Sequence, residues 1–500
     1  CMGKRMKRLG TAAVCLLLAA GSPTTVRAEE GYTYNYSYWG EVQASPDAYR
    51  VSQVVTSSAL GLDVNLKTPE GLFVSGDRIW LCDTGNSRIL EIQAEDSGTL
   101  SLVRSIDSFH GPDKDEAFAA PTDVAVGEDG CLYVCDRDGQ RIVKLDGEGN
   151  LLQEFTKPKD ANFDQDLAFQ PEKLAVDSAG RVYCVAVNVN KGLIKFEADG
   201  SFSGFVGAAK VTYDLADYLW KKIATSAQRG QMESFVPTEY DNLYMDEDGF
   251  IYTCTGNVTA ADLDSGAADA VRRLNMMGND ILVRNGEWPV LGDLEWEEGG
   301  GYKGPSLMQD ITAMENDIYA ALDRVRGRLF VYDDQGRLLF AFGGNGSLDG
   351  HFKEPSALEH MGRNLLVLDA LAGSLTVFTP TEYGTLIFDA MDQFQAGDYA
   401  RSGETWEQVL ELNGNYDLAY IGIGRALMRQ GQYGEAMEYF RLKWDDENYS
   451  RAFKQYRKEW VEDHIFLIFG AAAVVLCVPL AAGKLRGIRR EIDTAEIFQK

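Results

Sequence analysis

The chain has 500 residues, with 48 Lys or Arg against 76 Asp or Glu and a formal charge of −28 at neutral pH. So acidic a surface repels phosphate backbones, which excludes nucleic acid as a partner. Beyond the first apolar run there are six cysteines, with no CxxC pair and no Cys/His zinc spacing, so neither a thiol redox motif nor a structural zinc organises the fold.

The N-terminus carries Lys4, Arg5, Lys7 and Arg8, then an apolar run from Leu9 to Ala20, then Val26-Arg27-Ala28. Basic, apolar and small residues in that order are the layout of a secretory signal, here 1–28. Cys15 lies inside the apolar run and reads as filler. Residues 29–59 follow as a Tyr-rich segment. Tyr32, Tyr34, Tyr36 and Tyr38 alternate and Trp39 comes next, so on a strand the four phenols would line one face. Such a strip is a candidate binding surface for a carbohydrate or for peptide side chains; the structural reading is a strand packed on a neighbouring domain. The alternating stretch Val51–Leu60 supplies a further strand.

Internal repetition dominates the next 325 residues, 60–384. Pro69-Glu70-Gly71-Leu72 opens a unit that runs through Trp80-Leu81-Cys82-Asp83 and Gly85-Asn86-Ser87-Arg88. Pro121-Thr122-Asp123-Val124 opens a second, with Tyr133-Val134-Cys135-Asp136 and Arg141, and Pro171-Glu172-Lys173-Leu174 a third. Further copies begin near Pro237, Asp310 and Pro355. Each holds several short alternating strands between Gly or Asp turns, and units of this size stack as propeller blades. A helical stripe at Leu215, Leu219, Ile223 and Ala227 marks an insertion, 208–236, which would cap the ring mouth or pack on its rim. Around Trp288 and Trp296 the period is lost, leaving room for an uncounted blade.

The repeats resemble NHL repeats. The motif closest to that family is Phe340-Ala341-Phe342-Gly343-Gly344-Asn345-Gly346 leading to Gly350-His351-Phe352-Lys353-Glu354-Pro355, which is similar to its inter-blade connection. The third and fourth copies depart from the pattern, with Ala186 and Thr255 where Asp is expected. The resemblance implies a mainly β fold, a six-bladed ring closed by the strand before the first blade.

From 385 to 460 the period changes. Gly397-Asp398-Tyr399 recurs as Gly431-Gln432-Tyr433, and Trp406 and Phe440 keep the same spacing. This resembles a pair of tetratricopeptide repeats, with Ser402 replacing one expected Ala and no closing Pro. Two such units are too few to stand alone, so the bundle is expected to lean on the propeller. Residues 464–483 then form a charge-free apolar run long enough to cross a bilayer. Lys484, Arg486, Arg489 and Arg490 behind it place the tail, 484–500, in the cytoplasm. The sequence therefore describes a single-pass type I protein of the cell membrane with its propeller outside.

Propellers of similar type hold two kinds of enzyme site, as the resemblance implies: an amidating lyase with several His around a metal, and gluconolactonase-like hydrolases with Glu, Asn and Asp around a divalent ion. This chain offers four His: His110, His351, His360 and His464. Asp83, Asp136, Asp323 and Asp369 recur at matching blade positions, as architecture rather than catalysis demands, with carboxylates accepting turn amides. Cys82, Cys135 and Cys254 share a register and read as small buried filler. No catalytic, cofactor or metal residue is assigned. The sequence thus points to a non-enzymatic binding or scaffold protein for a protein or carbohydrate ligand, in a membrane complex such as a transporter. The alternative is a metal-dependent hydrolase or lyase acting outside the membrane.

Overall fold

The computed structural model describes residues 33–497 except 96, 162, 208–239, 257, 266–268 and 295–301. The signal reading at 1–28 and the insertion at 208–236 lie outside the described residues.

Alternating apolar residues and tight Gly turns give a succession of antiparallel meanders. Where the first two strands of a blade meet, Gly130, Gly180 and Gly249 close the hairpins with φ of 73°, 76° and 81°, a conformation that favours glycine. Five sheets contain a four-stranded meander, with inner strands Gly71–Ser75, Pro121–Val126, Pro171–Val176, Met308–Ala313 and Pro355–Met361. Between the third and the next lies a three-stranded sheet, Asn242–Met245, Ile251–Cys254 and Val271–Leu274. The expectation of six equivalent blades is corrected to five full blades and this shorter sheet. After Leu274 the chain turns back through an Asp280 bridge, and among the described residues up to Met308 there is no outer strand and no further blade.

The six inner strands neighbour one another in closed order around a central channel. The last blade takes its outer strand from the N-terminal side: Tyr49–Thr56 pairs antiparallel with Ser374–Pro380, from Thr56 opposite Ser374 to Tyr49 opposite Pro380. Joining the two ends of the repeat array in one sheet ties the ring shut. The fifth blade is widened instead, by Tyr34–Tyr36 beside its outer strand and Val42–Ala44 beyond.

The recurring aspartates hold each blade to the chain that enters it. Asp83 accepts from the Lys67 amide at 2.7 Å. Asp136 accepts from the Ala119 and Ala120 amides at 2.8 and 2.9 Å. Asp369 accepts from Lys353 at 2.7 Å, and Asp323 from Val325 at 2.8 Å. All four are buried, so each replaces the water those amides would otherwise need. Cys82, Cys135 and Cys254 are buried between blades, and burial pushes their thiols well up.

Five helices follow, each packed on the next: Glu382–Gln395, Tyr399–Leu412, Asp417–Arg429, Tyr433–Leu442 and Asp446–Asp463. Thr381 caps the first, accepting from the Gly384 amide, and Asp398 the second. One apolar cluster runs unbroken from Phe340, Phe342 and Phe378 of the ring to Ile387, Phe388, Trp406 and Ile423 of the helices. Tyr416 donates its hydroxyl to the Leu339 carbonyl across that seam. The bundle therefore shares its core with the last two blades.

The final helix, Ile465–Ile497, carries an apolar stretch of 18 residues with mean hydropathy 2.7, none of it buried against the rest of the chain. It is long and apolar enough to cross a membrane. Trp460 stacks on His464 at 4.6 Å just before it.

Candidate functional site

The channel site is made by one register position. In four inner strands a β-bulge follows the opening residue: at Pro121/Asp123, Pro171/Lys173, Met308/Asp310 and Pro355/Ala357. Such a bulge re-aims the residue that follows it. The first blade has Gly71 near this level, where an added Cβ would sit 2.4 Å from the Thr122 carbonyl oxygen, so no larger side chain fits there.

Asp123, Lys173, Asn242 and Asp310 consequently meet in the channel, joined by Glu359 from the last blade. Asp123 accepts from the Leu174 amide of the next blade at 2.9 Å, and Asp310 from the Leu358 amide at 2.7 Å. Lys173 donates to the Glu70 carbonyl at 2.9 Å and lies 4.0 Å from Asp123. Burial pushes the Asp123 carboxyl up to about 6 and that of Asp310 to about 7, against the pull of Lys173 and the backbone amides. Glu359 is raised further, by burial and by the neighbouring Asp310. Lys173 is itself raised, because the surrounding acids outweigh its burial. One buried cation thus faces three buried carboxyls.

A cavity of about 400 Å³ opens from this level to the rim formed by the hairpin turns. Glu128, Asp177, Asp246, Glu247 and Asp248 stand around it, with Arg181 the second basic residue of the lining. The lining thus carries eight carboxyls against two cations, with Asp177 paired to Arg181 and Asp246 to Arg273. Tyr244 lines the wall near Glu359, and Thr312 donates its hydroxyl to Glu359 at 3.4 Å. Thr312 Oγ1 is 2.8 Å from His360 Nδ1, and burial lowers His360 to about 4, so the imidazole is neutral.

The residues do not fit a divalent ion. Among the described residues no group of three His, Cys, Asp or Glu is arranged to hold one. Asp123 and Asp310 already spend oxygens on amides of adjacent blades. The four His do not converge either: His110 pairs with Asp115 at 2.7 Å on a surface hairpin, His351 sits in the inter-blade connection, and His464 stacks on Trp460.

The tyrosine strip is divided. Tyr32 lies outside the described residues. Tyr34 and Tyr36 both donate to Asp293, at 2.5 and 3.0 Å, and Arg328 reaches the same carboxylate at 2.5 Å. Burial and that carboxylate push the Tyr34 hydroxyl well up. Tyr38 and Trp39 are not on the strand: Ser37 Oγ accepts from the Trp39 and Glu41 amides and the chain turns at Gly40. Their rings instead face Trp444 of the helical bundle, 6.5 and 6.4 Å away. The expected single face of four phenols is corrected accordingly.

Comparison with known proteins adds a partial likeness. No family model matches the chain. A stretch of 134 residues is 31% identical to a probable peptidyl-alpha-hydroxyglycine alpha-amidating lyase of Caenorhabditis elegans, covering 26% of this chain and 37% of that protein. Among solved structures, virginiamycin B lyase from Staphylococcus aureus is 11% identical, covering 66% of this chain and 99% of its own, with a TM-score of 0.38. A structural-genomics protein of unknown function from Bacteroides thetaiotaomicron is 11% identical with a TM-score of 0.40, over 70% of this chain and 77% of its own.

Proposed function

We propose that the chain is a membrane-anchored binding protein whose NHL-type ring stands outside the cytoplasm and takes a small organic cation into its channel. The observation that carries this is the charge of the cavity: eight carboxyls, four of them buried, against Lys173 and Arg181. A volume of about 400 Å³ suits a guest of metabolite size. The topology follows from Glu462 and Asp463 before the apolar span and Lys484, Arg486, Arg489 and Arg490 after it. The TPR-like neck is a protein contact, through which the ring joins a membrane complex such as a transporter.

Titrating the full chain in detergent with a polyamine such as spermidine, by calorimetry, tests the channel. Saturable binding at pH 8 that weakens in Glu359→Gln is expected, because a cation beside Glu359 favours the charged form that burial disfavours. Protease added to intact cells should remove the ring and spare the tail; the reverse pattern would overturn the topology.

A second reading, a lyase acting outside the membrane from the same channel, draws on the 134-residue likeness to the amidating lyase. Incubation with a peptidyl-α-hydroxyglycine, with and without a chelator, decides it. Peptide amide formation would establish the activity, and its loss on chelation would show metal dependence.

A further inference from the structure

A second cavity of about 400 Å³ lies where the N-terminal segment, the fifth blade and the neck helices meet. Three features set it apart from a packing defect. The first is Arg425, on the helix Asp417–Arg429. Its guanidinium lies over the Phe394 ring at 4.7 Å and has no hydrogen bond or ion pair among the described residues. Burial and the adjacent Arg337 pull it below its ordinary value, with Asp334 and Asp333 only partly offsetting this. Arg337 is already paired with Asp333 at 2.7 Å. A half-buried guanidinium in a cleft, with its donor fork unused, is suited to a carboxylate.

The second feature is Trp444, at the junction of the last two neck helices. It holds φ of 58°, in the left-handed region, yet is 60% exposed. A bulky side chain in that conformation costs roughly 1 kcal/mol, and its ring is not buried in return. With Trp39, 69% exposed, and Tyr38 it forms an aromatic lip. Trp288, whose indole donates to the Ser37 carbonyl at 3.0 Å, forms another part of the wall.

The third is charge. Glu287 is raised by burial and by facing Asp445 and Asp446, so three acids on two separate elements crowd one side of the opening. The cleft therefore has acids at the lip and an unpaired guanidinium on the neck helix, while Lys443 and Arg451 in its lining are paired with Asp417 and Glu447. We propose that this cleft docks the C-terminal end of a partner polypeptide. The terminal carboxylate would meet Arg425, a Lys or Arg side chain would lie among Glu287, Asp445 and Asp446, and an apolar side chain would rest on Trp444 and Tyr38. The proposal deepens the reading of the neck as a protein contact. A glycan would use the aromatic surface but leave both charged poles unanswered.

The test presents immobilised full-length protein in detergent with a mixed library of N-acetylated Lys-X-X tripeptides, half free acids and half C-terminal amides, and identifies the retained fraction by mass spectrometry. Acids should be retained at least tenfold over amides. Arg425→Gln should erase that difference while leaving the melting temperature within a few degrees. Glu287→Gln should weaken the preference for Lys over Gln at the first position without touching the acid–amide ratio. Equal retention of acids and amides, no retention, or retention of cello- or chito-oligosaccharides in place of peptides would each overturn the site. A detergent-stable partner that co-purifies while the tripeptides show no acid preference would remove this site and leave the neck reading standing.

Discussion

Four of the six sheets close the same way and two do not, and the difference separates architecture from chemistry. In the first, second, fifth and sixth sheets a buried Asp ends the second strand and accepts amides of its own blade: Asp83, Asp136, Asp323 and Asp369. The third ends in Ala186, and in the fourth Thr255 follows the strand. These two sheets supply Lys173 and Asn242 to the channel, where the second and fifth supply Asp123 and Asp310. The repeated residue holds the ring. The residue that varies at a fixed register sets the charge of the channel.

The strongest way to break the comparison is Lys173→Met, at about 3 kcal/mol, because it leaves Asp123 and Asp310 without their buried cation. Asp136→Ala comes next. It strands the buried Ala120 amide and the part-buried Ala119 amide and removes one of the three carboxylates of Arg141, and the expected loss is about 2–3 kcal/mol, read like the first from denaturant unfolding of the full chain in detergent. Gly71→Ala should cost about 1–3 kcal/mol by driving a methyl into the second inner strand. Glu359→Gln is the opposite case. Removing a carboxyl whose charged form is disfavoured by burial should leave stability within about 1 kcal/mol of the parent or raise it, while amine affinity falls.

The pH dependence sharpens the same contrast. Asp123 and Asp310 have folded values raised to about 6 and about 7, above the ordinary carboxylate value of 3.8. The folded state therefore binds more protons than the unfolded one between those limits, so stability from these groups is lost as pH rises from about 4 through 7. Their Asn variants should flatten that part of the curve.

The ring was legible because most blades share one punctuation: an opening Pro, a Gly turn, an Asp closing the second strand. The apolar run after His464 was equally plain in hydropathy. The channel was not, because its groups stand about 50 residues apart and no local motif joins them. Only a register-by-register comparison of the inner strands, setting Gly71, Asp123, Lys173 and Ala357 side by side, would have drawn attention to that level. The fourth sheet was overcounted as a full blade because Gly249-Phe250-Ile251-Tyr252 announces a hairpin without saying whether an outer strand follows. The tyrosine segment misled for a different reason: strict alternation through Tyr38 implied one strand, but the Ser37 hydroxyl turns the chain, leaving two tyrosines on Asp293 and the next two aromatics on the neck.

The most direct test of a cation-binding channel is the thermal shift of the full chain on adding spermidine, at pH 5 and at pH 8, for the parent and for Glu359→Gln. The parent should be stabilised, more at pH 8, where Asp123 and Asp310 are ionised, than at pH 5, and the variant should lose most of the gain seen at pH 8. An equal shift in parent and variant, or none in the parent at either pH, would contradict the account.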